Sequence, residues 1–193
     1  AFSAGVEPQP FDLRDWNGIP DYMGVTTPIV ASVVFMGEEG GRRLLLTGDS
    51  QQDLIVAGLR RAAYLGDQGL HVDVLKVQHH GSENNLDAAF ARQVSARHYV
   101  FCGNGHSGNP DTRVIDHIFR SRCGTPEERA LAPEAEGEDF HFWFSTTAAA
   151  QPAGNDGRAV LERLEAHVRQ RAAEAAGRLH LHYNEGASVV LEV

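Results

Sequence analysis

Residues 75–85 read LKVQHHGSENN, and the change of character within this stretch decides how the chain is read. Val72, Val74, Leu75 and Val77 form an apolar, β-branched run that predicts a buried strand. The run ends abruptly on His79, His80, Gly81, Ser82, Asn84 and Asn85. Proteins built from alternating strands and helices gather binding and catalytic groups at the carboxyl ends of their strands, which is where these side chains fall. Two adjacent histidines there are either metal ligands, since neutral imidazole is the commonest protein ligand for zinc, or ordinary structural groups. Ser82, Asn84 and Asn85 are donors beside a bound anion or, for the asparagines, caps of the next helix.

Outward from this stretch, strands and helices alternate. Residues 28–36, 37–41 and 42–49 predict a strand, a tight turn and a second strand, forming a hairpin. The second strand ends on Thr47, Gly48 and Asp49, so a carboxylate sits at its tip; it is a site group or the cap of a turn. A helix is expected over 53–64, capped by Asp53. Leu86, Phe90 and Val94 share one helical stripe, with Asn85 as cap. Residues 97–103 predict another strand, whose tip carries CGNGHSGNPD, residues 102–111. That loop, with His106, could turn backbone N–H groups toward an anion, or could be a plain turn with Asn109 as cap and Pro110 in the first helical position. Helix 109–122 would bury Val114, Ile115, Ile118 and Phe119. The segment 121–139 is acidic, carries two prolines and is expected as a surface loop. Residues 140–193 then predict a strand, a linker, a helix over 158–176 closed by Gly177, and a closing hairpin from 178–183 and 187–193. The pattern is that of a layered α/β domain, its nearly continuous apolar strands suiting a sheet covered on both faces.

At 193 residues the chain suits one domain, with residues 1–27 an irregular lead-in rich in proline. The formal net charge of −9 argues against a broad basic grip on nucleic acid. It leaves room for a small phosphoester site, where a bound metal dominates the local field. Lys76 is the only lysine among 17 basic residues, an arginine bias that points to a high-GC bacterial genome. Cys102 and Cys123 make neither a disulfide framework nor a zinc-finger spacing; Cys102 reads as a small core residue, and a reducing cytoplasm is the expected setting. No apolar run approaches the roughly 20 residues of a membrane-spanning helix, so no membrane partner is expected.

LLLTGD at 44–49, then VDVLKVQHHGS at 72–82, then a loop of the form G-N-G-x-x-x-N-P-D resembles the second half of the metallo-β-lactamase fold. Its branch is similar to the hydrolase domains related to bacterial DNA-uptake competence channels and to phosphorylcholine esterases. The resemblance spans about residues 28–120, the motif-bearing core, and implies half of a four-layer αββα sandwich, with a mixed sheet and flanking helices. It also implies two divalent metal ions, zinc or manganese. Asp49 then matches the carboxylate that bridges the metals. His79 and His80 match the late histidine pair, one a ligand and the other beside the substrate. Ser82 matches a position near the substrate phosphate, with Asn84, His106 and Asn109 as further substrate-side candidates.

The chain departs from the family at two points. The family loop often reads Gly-His-Pro, whereas Asn109 stands there and His106 lies three residues earlier. The first-half motif His-x-His-x-Asp-His occurs nowhere; its nearest look-alikes are residues 71–73 and His180 with His182. Zinc takes four ligands, so Asp49 with the two histidines leaves a binuclear site incomplete. The chain also begins without a methionine. These features lead to the expectation that this is the C-terminal half of one domain, its partner being an N-terminal half that carries the missing motif. The function implied is metal-dependent hydrolysis of phosphodiesters, nucleic acid among the candidate substrates. A catalytically inactive binding or regulatory module, and a hydrolase of lactones or thioesters, are the alternatives.

Overall fold

The structure, a computed structural model, describes residues 32–193. The expected lead-in at 1–27 and the start of the first predicted strand lie outside the described residues. Six strands follow in chain order across one sheet: β1 (Phe35–Glu39), β2 (Arg42–Leu46), β3 (Leu70–Lys76), β4 (Val94–Phe101), β5 (Phe140–Phe144) and β6 (Leu179–Tyr183). β1 runs antiparallel to β2, and every later pairing is parallel, so the sheet is mixed as expected. Helices α1 (Gln52–Arg61), α2 (Ala88–Gln93), α3 (Thr112–Cys123) and α4 (Asp156–Glu174) form the four crossovers.

The β1–β2 hairpin turns on Gly40 and Gly41, at φ of +57° and +83° between the paired Glu39 and Arg42. A two-residue turn that matches strand twist needs positive φ at both central positions, which glycine adopts without steric cost. The turn therefore begins three residues later than the whole GEEGG segment suggests, and Gly37–Glu39 belong to the strand.

Parallel neighbours added in one direction through right-handed crossovers place every helix on the same face. One hydrophobic cluster fits that expectation. It joins Ile55 and Leu59 of α1, Phe90 of α2, Ile115 and Ile118 of α3, and Leu161, Leu164 and Val168 of α4 to Leu45, Leu75, Tyr99 and Phe142 of the sheet. Core membership passes from Val72 to Leu75 and from Ala96 to Tyr99, odd spacings that shift the alternation by one in both strands. Cross-strand pairing skips Asp73 and Arg97 at the same place.

Among the described residues the sheet is thus helix-covered on one face only, against the two-faced cover its apolar strands predicted. The outer face carries two cross-strand rows, Leu44–Val74–His98–His141–His180 and Phe35–Leu46–Lys76–Val100–Trp143–His182. Phe35 is 55% exposed and Leu46 39%.

Local expectations shift where side chains found other partners. Gln51, not Asp53, holds the cap position of α1. α2 is capped by Asp87, whose carboxylate accepts from the Phe90 N–H, so Asn85 is free for another role. Val94 begins β4 rather than ending a helix. Asp111 occupies the cap position of α3, which starts at Thr112, so neither Asn109 nor Pro110 opens that helix. The acidic segment is anchored rather than merely surface-lying. Ala132 and Ala135 are buried, and Glu138 meets Arg97, His71 and the fully buried Arg122 at 3.0–3.1 Å. A buried guanidinium requires such a carboxylate, and composition alone did not reveal it. The closing hairpin is absent: β6 pairs only with β5, in parallel, and residues 184–193 form no strand. Instead Leu191 and Val193 reach the outer face and enclose a groove of about 690 Å³ with Leu44, Val74 and Val100. Among the described residues no helix is long and apolar enough to cross a membrane.

Imidazoles cluster at the β4–β6 end of the outer face. His141 stacks on His98 and on His180 at 4.5 and 4.8 Å, and its Nδ1 lies 3.0 Å from His182 Nε2. Trp143 donates to His98 Nδ1, and His180 meets Asp139. Burial, with positive charge on neighbouring His98, His180, His182 and Arg97, pushes His141 down to about 4; burial also lowers His98 and His182. These imidazoles bind protons more readily when unfolded, so their stabilisation is complete above the ordinary value of 6.5 and is lost as pH falls toward 4. Thermal melts should therefore hold steady above about pH 7 and fall between pH 6.5 and 4. His141→Gln should shallow that fall; an unchanged pH slope in the variant would contradict the assignment.

Candidate functional site

Because β2 to β5 run parallel, their carboxyl ends share one edge of the sheet, and the polar segments singled out in the sequence gather there. Residues 47–49 follow β2, Gln78–Gly81 follow β3, residues 102–109 follow β4, and residues 145–151 follow β5. The first two tips are tied together. Thr47 Oγ1 donates to the Lys76 carbonyl at 2.6 Å, Lys76 Nζ donates to the Gly48 carbonyl at 2.7 Å, and the His79 N–H donates to the same carbonyl at 3.1 Å. Asp49 is held by its backbone N–H, which donates to Ser32 Oγ. Its carboxylate is 42% exposed and faces Lys76 Nζ at 3.8 Å.

His79, His80 and Gly81 are three consecutive residues in the left-handed region, at φ of +43°, +58° and +84°. That conformation costs roughly 1–2 kcal/mol for each residue with a Cβ, and strain of this kind collects at functional sites. The surrounding structure holds it in place. The Ser82 N–H donates to the His79 carbonyl, and the Asp111 N–H donates to the Gly81 carbonyl. The reversal turns both imidazoles outward with their Nδ1 atoms engaged: His79 Nδ1 lies 2.8 Å from Asn85 Oδ1, and His80 Nδ1 lies 2.8 Å from the Cys102 carbonyl. The ring centroids are 6.0 Å apart.

Both histidines line an open cleft of about 660 Å³ together with His106, Asn109, Ser145 and Thr146. Asp49 lies outside this lining and connects to it through Asn85, whose Nδ2 donates to the Asp49 and Ser50 carbonyls. His106 is exposed, and its N–H donates to Asn104 Oδ1. Asn109 is largely buried, its carbonyl accepting from the Gly105 N–H. Ser82 is 4% exposed and its hydroxyl accepts from the Asn84 N–H; neither Ser82 nor Asn84 lines the cleft. Cys102, expected in the core, is exposed, because β4 ends at Phe101 and the next backbone carbonyl serves His80.

Two contributions escaped the sequence reading. Ser145 and Thr146 fell partly in a segment read as linker, although a polar Ser-Thr-Thr directly after an apolar strand is the same signal as Thr-Gly-Asp after β2. Asn85 was read as a cap and is instead a buried bridge. Among the described residues, no group of three or more His, Cys, Asp or Glu side chains is arranged to hold one metal ion. His180 and His182 belong to the outer-face cluster and not to this cleft.

Gly81 is the residue on which the histidine reversal turns. A Cβ there would meet Pro110 Cβ at 2.9 Å, and φ is +84°. Gly81→Ala should destabilise the protein by at least about 1–2 kcal/mol in urea denaturation, the left-handed penalty alone. An unchanged midpoint would refute the strained geometry. Comparison of the chain with protein-family models, with curated proteins and with solved structures finds no match.

Proposed function

We propose that the chain is the C-terminal half of a metallo-β-lactamase-like hydrolase, acting on phosphodiesters through metal ions at the shared strand edge. The observation that carries the reading is the convergence of Asp49, His79 and His80 on two tied strand tips, with the Nδ1 of each imidazole already engaged. Metal-bound histidines characteristically give their other ring nitrogen to a carbonyl or carboxylate, so the two imidazoles suit a divalent cation such as zinc. Nε2 of His79 or His80 and the Asp49 carboxylate would each contribute a ligand, although the three groups are not arranged around one ion in this chain. Two such ions, zinc or manganese, would lower the pKa of a bound water toward about 7 and offset charge developing on the ester.

The chain's own residues supply the rest of the chemistry. The wall formed by His106, Asn109, Ser145 and Thr146 offers hydroxyl, amide and imidazole groups, suited to the oxygens of a phosphodiester. Lys76, beside Asp49, adds a positive charge to a chain of net charge −9. Missing ligands would come from the second half of the domain, carrying His-x-His-x-Asp-His. Its sheet would cover the outer rows around the exposed Phe35 and Leu46 and complete a four-layer sandwich.

Metal analysis of the protein with both halves present tests this. We expect zinc or manganese close to stoichiometric, lost on Asp49→Ala together with activity on bis-p-nitrophenyl phosphate. A metal-free protein would sink the hydrolase reading and leave a non-catalytic binding module. Turnover of a lactone or thioester in place of the phosphodiester or single-stranded DNA would reassign the substrate.

A further inference from the structure

Asn85 is 1% exposed, and every polar atom of its side chain has a partner. Its amide group makes three contacts: one with His79 Nδ1 at 2.8 Å, and two with the backbone carbonyls of Asp49 and Ser50 at 3.2 and 3.3 Å. Carbonyl oxygens only accept, so the amide NH₂ must face Asp49 and Ser50. The amide oxygen is thereby turned toward His79, and a nitrogen facing an oxygen across that distance must carry the proton. Asn85 also accepts from Gln78 Nε2 through its own carbonyl, which fixes its backbone. The tautomer of His79 thus follows from two backbone carbonyls that do not touch it.

We propose that Asn85 is a positioning residue. It locks His79 in the Nδ1–H form, presents the Nε2 lone pair outward, and fixes the distance between that nitrogen and the Asp49 segment. The Cys102 carbonyl does the same for His80, so both rings present Nε2 in the same sense. Free imidazole prefers the opposite tautomer, with the proton on Nε2, in which neither ring could bind a cation there. As a statement about metal binding this rests on the hydrolase reading; as a statement about the tautomer it does not.

Long-range proton–nitrogen correlation spectra of the ¹⁵N-labelled chain at pH 7.5, with zinc titration of the protein with both halves present in parallel, test it. We expect His79 to be protonated at Nδ1 and bare at Nε2. Asn85→Leu should return the ring toward the Nε2–H form and weaken zinc binding about 10–100-fold, as for other groups behind metal-ligating histidines. Asn85→Asp, which keeps an acceptor toward His79, should retain the tautomer and most of the zinc affinity. A protonated Nε2 in the unsubstituted chain, or an unchanged tautomer in Asn85→Leu, would overturn the proposal. Should Asn85→Leu not fold, the spectra of the unsubstituted chain and of Asn85→Asp decide. The expected tautomer in a protein that binds no zinc even with both halves present would uphold the role of Asn85 and count against the hydrolase reading.

Discussion

The handedness of the strand–helix–strand crossover governs most of this molecule. With β2 to β6 added in one direction, a single sense of crossover stacks all four helices on one face of the sheet. The same parallel order collects the carboxyl ends of the strands along one edge. A core, a face that none of the four helices covers and a polar edge all follow from that geometry.

The edge matters because of what the chain does immediately after β3. Two imidazoles and a glycine in left-handed conformation are an unfavourable local choice, offset by hydrogen bonds from Ser82, Asp111 and the tied β2 tip. A regular turn would have left the histidines to solvent, with no fixed partners for Nδ1. Asn85 then couples the β2 and β3 tips through side-chain bonds in a buried setting, where an unpaired amide would cost about 1–3 kcal/mol. The outer face has a different chemistry. Its imidazoles bond one another, Trp143 and Asp139, and burial favours the neutral forms of His98, His141 and His182.

Much of the fold was legible in the sequence, because strand periodicity and helix stripes report burial directly. Val114, Ile115, Ile118 and Phe119 are buried as read, and Asp49, His79 and His80 do stand at strand ends. What could not be read depends on long-range partners. Asn85 and Asn109 have the chemistry of helix caps, yet Asp87 and Asp111 hold the cap positions, one residue beyond a leucine and a proline. The acidic loop looked solvated until Arg122, buried in α3, drew Glu138 inward. The valines of residues 187–193 have strand propensity, but β6 gives them no partner and Leu191 and Val193 turn to the outer face. An apolar strand also cannot say which of its faces a helix will cover.

Anomalous scattering at the zinc edge, from crystals of the protein with both halves present grown with zinc, locates any bound metal. Zinc is expected bonded to Nε2 of His79 or His80, with the Asp49 carboxylate in the same coordination sphere, at about 2.0–2.2 Å. Zinc found only between His141 and His182 on the outer face, with none at the strand edge, would contradict that expectation.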